Sequence, residues 1–298
     1  MKTESETAFE WPTLALLGAT YLVWAWATTW LAAWSLPLAI AVAAIAIAQH
    51  SSLQHEVIHG HPFRNQRLNN ALVFPGLSLL VPYFRFHDTH LAHHKDSNLT
   101  DPYDDPETNF VDAGDWEKLS PFCRAVLNIN NSLAGRLILG PIIGTIFFII
   151  CEIRLAKKDP GVLRGWLWHI PAMSLVMIWV SYSSMPLWAY MIAAYGSLSL
   201  LRIRTFLEHQ AHEKSRARTV IIDDKGPLAL LFLNNNFHSV HHNHPRVPWY
   251  QLPGLYRENA DHYLRQNEGY FYKSYGEVFR RYFFFRKDAV PHPLWRRN

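Results

Sequence analysis

The chain has 298 residues, of which 49% are apolar and only 17% charged, below the quarter usual in soluble domains. A net charge of +4 without any nucleic-acid-binding motif argues against a nucleic-acid partner and suits topology and anionic headgroups instead. Cys123 and Cys151 show no CxxC spacing and no secretory context, so free thiols in a reducing compartment are expected.

In chain order, the first feature is a charge-free stretch from residue 11 to residue 55, and the second runs from 165 to 201. One span takes roughly 20 apolar residues, so each stretch holds two helices joined by a tight turn. Pro37 and Pro186 stand near the middle of the stretches, where a helix must end or restart. The predicted spans are 12–34, 37–59, 166–182 and 186–207, with polar segments over 60–164 and 208–298. The apolar stretch 137–151, broken by Gly140, Pro141 and Gly144, is short for a span and is predicted to lie in the interface. Tyr270 to Phe285 mixes aromatics with Arg and Lys, as an interfacial helix or a self-packed cap would. The expected fold class is an all-α integral membrane protein, a single domain over 1–298, with four transmembrane helices in two hairpins plus interfacial helices.

Lys and Arg are absent between residues 3 and 63 and again between 165 and 201. The positive-inside rule therefore puts both polar segments and both termini in the cytoplasm, in a bacterial-type inner or plasma membrane. The first apolar block is too long for a signal-peptide core and has no basic start.

Seventeen histidines are present, and they cluster. His55 and His59 stand in HEVIH; His90, His93 and His94 in HLAHH; His238, His241 and His242 in HSVHH; His209 follows the fourth predicted span. Residues three and four apart share a helix face, so each cluster can aim its imidazoles at one point. Neutral imidazoles suit Fe, Zn, Cu and Ni. A four-coordinate zinc site is overfilled by nine histidines, whereas two ions with four or five nitrogens each use them all. An iron pair can share the electrons that reduce O2, which zinc cannot, so the metal is read as iron.

The three motifs, H-x3-H, H-x2-HH and H-x2-HH in that order, resemble the histidine boxes of the membrane fatty acid desaturase/hydroxylase superfamily, which includes alkane hydroxylases and carotenoid ketolases. The resemblance covers roughly residues 12–250. It implies two irons (Fe2+/Fe3+) with O2 as co-substrate and a helical cytoplasmic cap that carries the boxes. His55, His59, His90, His93, His94, His238, His241 and His242 would be ligands, with His209 as the ninth, like the extra histidine of alkane hydroxylases. Fatty acyl desaturation is the expected reaction, with lipid or alkane hydroxylation and carotenoid ketolation as the alternatives. No haem-binding HPGG, CxxC cluster or GxGxxG is present, so a separate ferredoxin, rubredoxin or cytochrome must supply electrons to a lipid substrate held in the bilayer. A membrane zinc protease is the competing class, because HEVIH also reads HExxH, but it leaves the other well-spaced histidines idle.

Ligating imidazoles usually donate their second N–H to an oxygen. Glu56, Asp88, Glu208 and the run Asp101, Asp104, Asp105 are the carboxylate candidates. Asn234, four before His238, is a candidate for a metal-bound water. His61, His87, His212 and His244 are expected to be exposed or hydrogen-bonded, and His50, His169, His262 and His292 structural.

Overall fold

The computed structural model describes residues 9–94 and 98–295, and the chain forms two compact units that each draw on two stretches of sequence. The first unit comprises Met1–Asp88 and Ile142–Leu201; the second comprises Thr89–Pro141 and Arg202–Asn298. The expected cytoplasmic ends over 1–8 and 296–298 lie outside the described residues.

The long helices are α1 (Trp11–Trp34), α2 (Leu36–Ile58), α3 (Tyr83–His93), α4 (Leu133–Ala156), α5 (Pro160–Tyr182) and α6 (Leu187–Thr205). Sequence sets their ends. Ser35 takes an extended backbone, and Pro37 follows at the start of α2, where its missing N–H costs nothing. Asp159 caps α5 by accepting from Gly161 N at 2.7 Å. A π turn over Ala27–Leu31 interrupts α1.

The first unit is packed through small residues. Ala39, Ala43, Ala44 and Ile47 of α2 share one core with Trp24 and Leu31 of α1, Val176 and Val180 of α5, and Ala189, Tyr190 and Ala193 of α6. Alanines let backbones approach closely, which drives helix association where lipid removes the hydrophobic incentive. Polar groups inside this unit are spent on one another: Trp24 Nε1 donates to Tyr190 Oη at 3.1 Å, and Tyr190 Oη donates to Leu77 O at 2.7 Å. Outward faces are apolar too, with Leu22, Trp30 and Trp34 each more than 70% exposed.

Four helices are long and apolar enough to cross a membrane by length and composition: α1, α2, α4 and α5. Three agree with expectation, although α5 begins before residue 166. The fourth does not. The stretch expected as a short interfacial piece over 137–151 is the middle of a 24-residue helix. Its charged flanks do not end it, because Arg and Glu are good helix formers, and each also has partners. Arg136 Nε donates to Asn130 O at 3.0 Å, and Glu152 takes Arg85 Nε and Nη2 at 2.6 and 3.0 Å and Trp166 Nε1 at 2.9 Å. Conversely α6, expected to span over 186–207, does not reach that apolar composition.

Yet α6 runs beside α2 in the same direction. Met185 N donates to Thr28 O at 3.0 Å where α1 turns toward α2, and a Cβ added at Gly196 would meet Ala44 Cβ of mid-α2 at 3.2 Å. A helix screened by neighbours needs less apolar surface than one facing lipid.

The second unit is built of short helices and loops. The all-α expectation holds except for one parallel pair, β1 (Ile221–Ile222) with β2 (Phe271–Tyr272), among the described residues. Its core gathers Ile221, Phe237, Val240, Leu252, Tyr256 and Tyr263 around α7 (His238–Asn243).

Candidate metal centre

In the first unit, His55 occupies the last turn of α2 and His59 its C-cap, with ring centroids 5.0 Å apart. Both imidazoles come from one helix end, as i and i+4 spacing requires.

In the second unit, seven of the expected histidines come together from three places: the end of α3, the segment after α6, and α7. The ligand nitrogens of His93, His209, His238 and His242 lie within 4.8 Å of one another, and so do those of His90, His94 and His241. His94 stacks on His242 with centroids 4.3 Å apart, so the two groups are neighbours.

The protons can be placed from the oxygen partners. His93 Nδ1 stands 2.8 Å from Asp105 Oδ1, and His90 Nδ1 stands 3.1 Å from Glu107 Oε1. His238 Nδ1 faces Asn235 Oδ1 at 3.2 Å. Asn235 is oriented in turn by Glu208, whose Oε1 accepts from Asn235 Nδ2 at 2.8 Å, with Arg204 Nε 2.9 Å from the same oxygen. Each acceptor fixes a proton on Nδ1 and leaves the Nε2 lone pair facing inward.

Those Nε2 atoms meet the Nε2 atoms of further imidazoles. His93 and His209 approach to 2.8 Å, His238 and His209 to 3.0 Å, His90 and His94 to 3.0 Å, and His241 and His94 to 3.2 Å. Such a convergence of ring nitrogens suits a cation. Two nitrogens at about 2.1 Å from one ion and at right angles stand about 3 Å apart, which is the spacing found. The donor set of imidazoles backed by buried carboxylates therefore fits metal ions.

Charge around the groups is consistent with that fit. Burial, reinforced by neighbouring imidazoles, holds His209 and His238 well below the ordinary histidine value, so both are neutral and able to ligate. Burial works the same way on His93, but Glu107, Asp105 and Glu208 outweigh it and raise the group to about 9. Burial alone would raise Glu107, whereas His93 and His90 bring it below the usual carboxylate range. The carboxylates thus hold positive charge at His93, as a proton without metal or as an ion with it.

The other expected residues are placed as follows. Asp101 shapes a turn by accepting from Tyr103 N at 2.8 Å and Asp104 N at 3.2 Å, and the neighbouring Asp105 is the one that meets a histidine. Asp88 is taken by Arg85 at 2.9 Å and His87 at 3.0 Å and is more than half exposed. Glu56 is buried, with Oε1 3.9 Å from His61 Nε2. Asn234 does not turn toward His238; its amide donates to Trp249 O at 3.1 Å. The four-residue rule fails there because α7 begins only at His238, and Leu233 and Asn234 are both left-handed, with φ of 51 and 54°.

Glu107, Asn235 and Arg204 were not anticipated. Asn235 stands three residues before His238, one from the residue expected, and Glu107 continues the acidic run beyond Pro106. Of the histidines expected to be structural, His50 meets Tyr21 Oη at 3.0 Å, His169 donates to Leu79 O at 3.0 Å, and His292 meets Thr100 Oγ1 at 3.1 Å.

A family model described as fatty acid desaturase matches residues 28–274, more than half of the chain and inclusive of all nine histidines. The chain belongs to the fatty acid desaturase family. No curated protein matched it. Membership, with the long apolar helices, makes it an integral membrane protein and an oxidoreductase of the desaturase/hydroxylase superfamily, acting in a lipid context.

Proposed function

We propose that the chain is an O2-dependent di-iron oxidoreductase acting on an unactivated C–H bond of a lipid, with desaturation of a fatty acyl chain as its reaction. The observation that carries the reading is the set of four Nε2-to-Nε2 approaches, between 2.8 and 3.2 Å, in a family member. His93, His209, His238 and His242 would hold one ion. His90, His94 and His241 would hold the other, and the histidine-box resemblance would make His55 and His59 ligands too.

Two irons, when bound, supply the chemistry that reduces O2 to water while two hydrogens leave adjacent carbons, with two electrons and two protons from an external donor. The chain's own residues prepare the ligands. Asp105, Glu107 and Asn235 keep the Nδ1 protons of His93, His90 and His238 in place, so that Nε2 is available and its direction is fixed. Burial of His90, His93, His238 and His241 keeps bulk water from the centre. A ferredoxin, rubredoxin or cytochrome is the proposed electron donor.

The distribution of Lys and Arg supports a cytoplasmic centre and cytoplasmic polar segments in a bacterial-type inner membrane. His93 and His209 meet at 2.8 Å, so an even number of the helices between them crosses. Pairing of α6 with α2 favours α5 and α6 as the crossing pair. We therefore keep α4, despite its length, as a helix in the interface.

The test is metal content of the detergent-purified protein, followed by lipid analysis of an expressing host. Two irons per chain, lost in His93→Ala, together with a new cis double bond, are expected. An alcohol or ketone in place of the double bond would reassign the reaction to the hydroxylases or ketolases. One zinc and no iron would overturn the reading in favour of the HExxH protease.

A further inference from the structure

Glu107 stands between the two histidine groups of the second unit. Its Oε1 lies 3.1 Å from His90 Nδ1, while its Oε2 lies 4.0 Å from His93 Nε2, a nitrogen of the other group. Asp105, by contrast, reaches a histidine of one group alone, His93 at 2.8 Å. The loop is folded to deliver Glu107. Asp105 Oδ1 also accepts from Glu107 N at 2.9 Å, and Asp105 Oδ2 accepts from Thr100 N at 2.8 Å. Glu107 and His209 both line a cavity of about 20 Å³, space for a single water.

We propose that Glu107 is a positioning residue that couples the two metal positions, with one oxygen setting the His90 tautomer and the other presenting negative charge beside His93 Nε2. This rests on the two-ion reading of the site. One carboxylate addressing both groups makes occupancy of the two positions interdependent. A partner of one ligand, such as Asp105, has no such reach.

The distinction is testable on full-length protein in detergent micelles, with iron or cobalt titrated into metal-free samples and each position followed by its Mössbauer or visible ligand-field signature. Glu107→Gln keeps size and a hydrogen-bond acceptor but removes the charge. It should weaken both positions by about 10–100-fold and perturb both signatures, with partial recovery in Glu107→Asp. Asn235→Ala, which removes the Nδ1 acceptor of His238 and touches neither Glu107 nor its loop, should weaken the His93, His209, His238 and His242 position alone. Melting of the metal-free variants controls for folding, and Glu107→Ala serves if the glutamine variant is unstable. Wild-type binding at both positions in Glu107→Gln, or a loss confined to one, overturns the coupling. Wild-type protein that binds a single ion sinks the two-ion reading itself.

Discussion

Two populations of buried histidine divide this molecule. In the first unit, His50 and His169 point a ring nitrogen at an oxygen, Tyr21 Oη and Leu79 O, each 3.0 Å away. Their role is to tie helices and loop together. In the second unit, His90, His93 and His238 give Nδ1 to an oxygen and turn Nε2 toward another imidazole. Burial alone does not distinguish the two populations. What the second nitrogen faces does: an inward Nε2 set against further imidazoles, with Nδ1 held by an oxygen, is the arrangement a shared cation satisfies.

The sharpest way to break this comparison is to exchange the populations by mutation. His93→Ala and His241→Ala should lose bound metal and turnover to background, while His50→Gln should keep two metals per chain at some cost in thermal stability; metal analysis and melting in detergent separate the outcomes. Equally all-or-none is the side of the membrane at each end of α4. In a background without Cys123 and Cys151, single cysteines at 134 and 157 should both react with an impermeant thiol reagent from the cytoplasmic side, and reaction from opposite sides would make α4 a span.

Next in size is Asn235→Ala. It removes the acceptor that orients His238 but no ligand, and should lower metal affinity by about 10–100-fold with little change in apo-protein melting. In the first unit, Trp24→Phe deletes the bond to Tyr190 and should cost about 0.6 kcal/mol with metal content unchanged; a metal loss there would blur the division. The smallest effect is pH-dependent. Burial first, and then the Arg218 charge, lowers His292 to about 4. The neutral ring therefore stabilises the fold fully above its unfolded value of about 6.5 and progressively less as pH falls toward 4. The melting-temperature gap between wild type and His292→Gln should narrow from pH 7 to pH 4.5.

Much of the centre was legible because its spacing is local. HxxxH and HxxHH place imidazoles on one helix face whatever the rest of the chain does, and all seven second-unit histidines expected as ligands fall into the two groups. Carboxylate and amide partners were less legible. Asp105 lay inside the acidic run singled out, but Asp101 and Asp88 serve a turn and an arginine instead. Asn235 rather than Asn234 meets His238, since a left-handed residue pair breaks the helical count just before α7.

Length and charge patterning by themselves determined that long apolar helices exist, where α1 and α2 lie, and that Pro37 and Pro186 mark turns, because hydropathy and proline geometry act over a few residues. They did not determine the extent of α4. Charge ends an apolar run but not a helix, since Arg and Glu are good helix formers, and Glu152 finds its partner Arg85 far away in sequence. Nor did they reveal that α6 could carry fewer apolar residues, which depends on α2 standing beside it. The histidines came from the sequence as candidates. Tertiary structure alone sorted their nitrogens into those facing an oxygen and those facing each other, since that distinction is made between segments more than a hundred residues apart, as with His93 and His209.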